Sequence, residues 1–382
     1  MKIAFIGGRD IKTLGGIENY VYNLATHLVK LGHEPIVYCE SNRNDIEWVN
    51  GFKVVYHKSF GGRFLCKILL SLKSTIDALT KEECVELFHY NAWPPSLWSW
   101  IPRIAGRKAL LEGHGFEWKR TKYSPFQQKI MHLMEWLTAK MHKNILVVSD
   151  EQRDYFASHY SRSCVTIPTA VNMPDSNDVD SDILSRYKVE QGRYFLYLGR
   201  LVQDKNPDYL IKAFQKANTT DYKLVIAGSN DQQPEYVEYL HKLAQSDSNI
   251  IFTGAVYGAD KNTLLRHSAA FCIPSTIEGL AITLLEAMSY GLVCIASDIP
   301  SNREGLSNNG IWVTAEDVDS LAEKIEYVIS NTDALSHIKE LNRRRVEQNF
   351  TWDIIAKRYV EYITNVCDGN HRSSYPNSHD TD

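Results

Sequence analysis

Short apolar runs of strand length, separated by segments of helical periodicity, recur along almost the whole chain and constrain its fold more than any other feature. In the first half they fall at Lys2–Gly7, Glu34–Glu40, Phe52–His57, Leu87–Asn91, Lys108–Gly113, Asn144–Ser149 and Cys164–Pro168. Runs with little polar alternation fit strands buried on both faces, and strands joined through helices lie parallel. The rhythm breaks past Val171 at the polar stretch MPDSNDVDSD. It restarts with RYFLYLGR, YKLVIAG, NIIFTG, AAFCIPS and LVCIAS, with helices opening at Pro207, at Pro234, near Asp260 and at Leu280, and further helices from Asp317 and Asp333. The expectation is an α/β chain with two doubly wound sheets. A first domain would span 1–174, a linker 175–190, a second domain 191–350 and a last helix 351–366. The tail 367–382 is poor in apolar residues and would stay unstructured.

With 382 residues, 44% of them hydrophobic, two cores can be filled. The formal charge of -4 argues against nucleic acid as a partner, because neutralising phosphates needs a basic excess. Cys39, Cys66, Cys84, Cys164, Cys272, Cys294 and Cys367 form no C-x-x-C pair and several lie in apolar runs, which fits a reducing cytoplasm. The opening MKIAFIGGRD is too short in apolar residues for a signal peptide, and no run approaches the ~20 that span a bilayer. Contact with a membrane from one side is a separate matter. Arg103, Arg107, Lys108, Lys119, Arg120, Lys122, Lys129, Lys140 and Lys143 crowd around Trp98, Trp100, Phe126 and Trp136. On one shared face they would attract anionic lipid; the same residues also fit ordinary surface cations over a buried aromatic core.

Open parallel sheets bind ligands at the carboxyl ends of their strands, so the loops there carry the functional information. After the first strand, Gly15 and Gly16 open an amphipathic helix, where small residues let an anion approach free N–H groups. Glu40, ending the second strand, would suit a dinucleotide ribose, but the G-x-G-x-x-G spacing is missing. In the second half, Gly199 and Arg200 leave a strand, and Asp204, Lys205 and Asn206 precede Pro207. Arg as a planar fork and Lys as a point charge suit a diphosphate, although a solvated loop would read alike. Farther on, STIEGLAITLLEAMSYG places Glu278 and Gly279 in a loop, Leu280 at a helix start and Glu286 two turns inside an otherwise apolar helix. Sugar hydroxyls are suitable donors to such carboxylates; a paired core acid and a helix cap are the plainer readings. The D-x-D pairs Asp178/Asp180 and Asp317/Asp319 are read as solvation and capping, and no metal or other cofactor is expected.

The order of GGIE, G-R with K-N, and E-G-L with a second Glu eight residues on resembles the retaining glycosyltransferases of family 4. That resemblance implies the GT-B fold, with two Rossmann-like domains facing each other across a cleft, and a hexosyltransferase-type enzyme. It implies that Arg200 and Lys205 hold a donor diphosphate with Gly16, and that Glu286 takes the ribose hydroxyls. Glu278, with Gly199, Gly279 and Leu280 nearby, would meet the transferred sugar, and His114 would face it. The run LEGHGFEWKRTKYS resembles the bacterial rhamnosyltransferase branch, with Tyr123 in place of a Trp. It implies dTDP-rhamnose as donor, surface polysaccharide synthesis, and a saccharide acceptor, lipid-linked, met by Glu117, Lys119, Arg120 and Lys122. A GT-B nucleotide-sugar epimerase, a noncatalytic nucleotide-sugar sensor and a dehydrogenase are the rival functions.

Overall fold

A computed structural model of the chain describes residues 1–12, 15–59, 63–119, 124–175, 181–230 and 233–369, with the side chains of 63–65 and 117 outside that description. The chain forms two compact units. The first takes in Met1–Lys119, residues 124–169 and the chain again from Trp352; the second runs from Ala170 to Thr351.

The first unit is built on an eight-stranded sheet of β1 (Lys2–Gly8), β2 (Glu34–Ser41), β3 (Asp45–Val49), β4 (Phe52–Lys58), β5 (Leu87–Asn91), β6 (Lys108–Gly113), β7 (Ile145–Val147) and β8 (Val165–Thr166). Their order is β3-β4-β2-β1-β5-β6-β7-β8, parallel except for β3 against β4. The β3–β4 hairpin turns on Asn50 and Gly51, with φ of +47° and +87°, a backbone that the Asn-Gly pair adopts readily. One apolar layer packs Ile6, Tyr38, Phe88, Tyr90 and Leu111 against Trp93, Met131 and Phe156.

The second unit carries a six-stranded parallel sheet of β9 (Tyr194–Leu198), β10 (Lys223–Ala227), β11 (Ile250–Gly254), β12 (Ala270–Ile273), β13 (Val293–Ser297) and β14 (Ile311–Val313). Its order is β11-β10-β9-β12-β13-β14. Alternate residues of each strand enter opposite layers: Tyr194 and Leu196 one, Phe195 and Tyr197 the other. Cys272 and Cys294 are wholly buried there and behave as small apolar side chains.

The expected linker is partly core. Ile183 is fully buried in a short helix, Ile183–Arg186, and Val189 joins the same layer, while Ser181 N–H donates to Thr263 Oγ1 at 2.9 Å. The polar flanks had concealed two apolar anchors. Asp178 and Asp180, like the tail from residue 370, lie outside the described residues. The final helix, Trp352–Asp368, ends slightly beyond the expected 366 and packs into the first unit, with Trp352 against Tyr20 and His27. Asp317 is a helix N-cap, accepting from Asp319 and Ser320 N–H at 2.9 and 3.0 Å. Among the described residues no helix is long and apolar enough to cross a membrane.

A carboxylate buried in the first unit makes the fold pH-sensitive. Glu135, on the helix Pro125–Met141, is fully buried and accepts from Tyr160 Oη at 2.7 Å and from Trp118 Nε1 at 3.2 Å. Burial outweighs those donors and pushes its carboxyl up to about 7. The folded state then holds a proton that the unfolded state loses near 4.5, so stability is full below about 4.5 and declines as pH rises to about 7, by about 3 kcal/mol. Urea unfolding across that range should show the decline in the wild type and a flatter profile in Glu135→Gln.

Candidate active site

In each sheet the strand order reverses once beside the central strand, between β1 and β5 and between β9 and β12. At such a point the flanking connections run to opposite faces and leave a crevice at the carboxyl ends. Lys205 leaves β9 and Glu278 leaves β12, so the sheet topology alone brings their loops side by side. Backbone bonds complete the placement. Thr276 N–H donates to Asp204 C=O at 3.0 Å, and Asn206 Nδ2 donates to Pro274 C=O at 2.9 Å. Asn206 is buried with φ of +50°, a left-handed conformation that Asn tolerates, and it turns the chain into the helix Pro207–Lys216. From the other side, Ser297 Oγ donates to Ser275 C=O and Asn302 Nδ2 to Ser297 C=O.

This scaffold closes an ion pair between Lys205 Nζ and Glu278 Oε1, whose side chains are 18% and 7% exposed. Two singly chosen candidates thus prove to be partners. Gly228 Cα approaches so closely that an added Cβ would lie 1.8 Å from Gly199 C=O, which keeps the ends of β9 and β10 tightly apposed. Arg200 is exposed on the loop leaving β9, and its carbonyl accepts from Tyr197 Oη at 2.8 Å. Gly279 is half-buried and Leu280 buried in the β12 loop. Glu286, on the helix Ile282–Ser289, is a paired acid: Lys261 Nζ lies 2.7 Å from Oε1. Its carboxylate remains 18% exposed, so it is reachable.

In the first unit, Gly16 begins the helix Gly16–Lys30, with open space where a side chain would stand. Glu18 folds back over this turn and its Oε1 accepts from Arg9 N–H at 3.2 Å. His114 follows β6, with Nε2 3.2 Å from Asn91 Oδ1 at the end of β5 and its ring edge-on to Tyr20 at 5.2 Å. Beneath it, Glu112 and His89 are fully buried, with His89 Nε2 2.9 Å from Glu112 Oε2 and His89 Nδ1 2.7 Å from Tyr359 Oη. Burial pushes the Glu112 carboxyl up, but His114, His89 and the Tyr20 hydroxyl outweigh it and hold the group below its ordinary range. Gly113 has a packing reason: an added Cβ would lie 2.7 Å from the Trp93 indole. Lys119 is exposed and folds over the Phe116 ring at 4.0 Å. Arg120, Lys122 and the Glu117 side chain lie outside the described residues.

Two domain families match this arrangement in chain order. Residues 14–173 match the model of Glycosyltransferase Family 4, and residues 181–345 that of Glycosyl transferases group 1. The chain belongs to these glycosyltransferases. An uncharacterised glycosyltransferase of Methanocaldococcus jannaschii is 26% identical, covering 94% of this chain and 97% of its own. The phosphatidyl-myo-inositol mannosyltransferase of Mycolicibacterium smegmatis is 24% identical over 96% of this chain and 94% of its own. The crystal structure of Anabaena HepE with UDP-glucose superposes with a TM-score of 0.77 at 16% identity, covering 96% and 100% of the two chains. The fold is GT-B, and the enzyme is a hexosyltransferase-type glycosyltransferase.

Within this glycosyltransferase, two partners escaped the sequence reading. Lys261 had no signal, since a lysine on the helix Gly258–His267 reads as surface. Asn91 had one: it ends a buried strand at the sheet's carboxyl edge, where a polar side chain is out of place unless used. A double-mutant cycle tests the ion pair. Lys205→Ala strands a largely buried carboxylate, so it should destabilise more alone than in the background of Glu278→Ala, with a coupling of about 1–3 kcal/mol by denaturant unfolding. Additive effects would show that the two side chains do not sense each other.

Proposed function

We propose that this enzyme transfers a hexose from a nucleotide-sugar donor to a saccharide acceptor, retaining the anomeric configuration and without a metal ion. The observation that carries the reading is the Lys205–Glu278 pair at the strand reversal of the second unit. A diphosphate arriving there competes for the Lys205 ammonium and releases Glu278 to accept from sugar hydroxyls. Arg200, exposed on the same loop, adds a second cation, and Glu286 accepts from the ribose hydroxyls. The resemblance to family 4 adds Gly16 as a phosphate-binding residue and His114, whose ring Asn91 steadies, as a sugar-binding residue.

The chemistry follows the charge. As the glycosidic bond breaks, negative charge grows on the departing diphosphate, and cations already in place stabilise it more than they stabilise the bound donor. The leaving phosphate oxygen then accepts the proton of the attacking acceptor hydroxyl on the same face. The likeness of Leu111–Ser124 to the rhamnosyltransferase branch favours dTDP-rhamnose as the donor and bacterial surface polysaccharide as the product. The acceptor is lipid-linked, presented at an anionic membrane; the mannosyltransferase of M. smegmatis, whose name specifies a phosphatidyl-inositol, supports that direction.

Incubating the protein with a panel of nucleotide sugars, with and without acceptor, tests the reading. Transfer should require acceptor, survive EDTA and give the retained anomer by NMR. Lys205→Ala and Arg200→Ala should each lower kcat/KM by about 10²–10³-fold. An altered nucleotide sugar formed without acceptor, an inverted product, or loss of transfer on chelation would contradict it.

A further inference from the structure

The helix Pro125–Met141 has an inward face that is ordinary for a core and an outward face that is not. Inward, Met131, Met134, Glu135, Thr138 and Ala139 are buried. Outward, Phe126 is 72%, Leu133 54% and Trp136 45% exposed, and Lys129 and Lys140 are exposed between them. At about 100° per residue, positions 126, 129, 133, 136 and 140 fall within an arc of about 80°. The chain therefore presents one stripe reading Phe-Lys-Leu-Trp-Lys to solvent.

The stripe continues past the helix end. Arg103 Nη1 donates to Met141 C=O at 2.6 Å, which brings the helix Trp100–Ile104 alongside, with Trp100 and Ile104 42% and 79% exposed. Fourteen large apolar side chains are exposed among the described residues, and six of them lie between Trp100 and Met141. Trp98, by contrast, is turned inward and donates to Ile68 C=O at 2.7 Å.

Charge decides what this face fits. The whole chain carries -4, yet residues 92–111 contain no acid, and residues 124–149 contain only Glu135, which is fully buried. Every exposed carboxylate is thus missing from these two segments, while Arg103, Arg107, Lys129, Lys140 and Lys143 are exposed. A protein partner, whose interface pairs an apolar centre with a polar rim, would not require that one-sidedness. An anionic bilayer does: aromatic and aliphatic side chains enter the interface while flanking cations meet the headgroups. We infer that the outward faces of Pro125–Met141 and Trp100–Ile104 form one docking surface for an anionic lipid bilayer. This deepens the lipid-linked reading and rests on it for its purpose, since a membrane-bound acceptor needs an enzyme held at the membrane.

Flotation of the full chain with phosphatidylcholine vesicles carrying phosphatidylglycerol, in the absence of donor, tests the surface independently of catalysis. Binding should fall with added salt and be lost on pure phosphatidylcholine. Lys129→Gln with Lys140→Gln should weaken it by about thirty-fold, about five-fold for each lysine near the headgroups. Trp136→Ser should also weaken it, with transfer to a soluble acceptor unchanged. Undiminished binding by these variants, equal binding to neutral vesicles, or self-association that Leu133→Asp abolishes would overturn the inference. Vesicle binding without any sugar transfer would instead sink the functional reading and leave the surface standing.

Discussion

The ion pair between Lys205 and Glu278 is the constraint on which the site depends. A carboxylate only 7% exposed has given up most of its water and must have a counter-charge or a set of donors. The fold supplies the ammonium through two loops that the strand reversal places together and that Thr276, Asn206 and Ser297 tie down. Such a pair is poor evidence for stability, since desolvation offsets much of the attraction. It makes better sense as a site held ready. On the function proposed above, a donor would bring both a diphosphate for the lysine and hydroxyls for the glutamate, so each partner would exchange one satisfied interaction for another and neither would be left bare.

The first unit solves a related problem with less solvent. Glu112 and His89 sit wholly inside it, joined to the last helix through Tyr359, and Trp352 packs the same helix against Tyr20 and His27. A chain that returns to its first unit after finishing its second needs a specific anchor, and a buried polar network is specific because every misplacement leaves a charge unpaired. His114 stands directly above this network, with Asn91 fixing its ring, so the anchor and the candidate site share one foundation.

Most strands of both sheets were legible because parallel strands buried on both faces read as continuous apolar runs, but the three-residue β14, Ile311–Val313, is too short to form one. The β3 strand was not picked out: DIEWV alternates on a solvent edge, although the Asn50-Gly51 turn beside it was a usable signal. The short helix holding Ile183 was hidden because two anchors in a polar stretch look like a linker. Lys205, Glu278 and Glu286 could be chosen by their place after strands, but not their pairings, which depend on side-chain reach across the sheet. Lys261 shows the limit. A helical lysine carries no mark of its partner, and only the fold reveals that it neutralises Glu286.

The central claim is that the second unit recognises a diphosphate by drawing Lys205 away from Glu278. Isothermal titration calorimetry with matched nucleoside monophosphate and diphosphate, for whichever base binds, addresses it directly. The diphosphate should bind more tightly to the wild type, and Lys205→Ala should erase most of that preference while leaving monophosphate affinity nearly as it was. Equal affinity for the two nucleotides in the wild type, or a preference undiminished in the variant, would contradict the account.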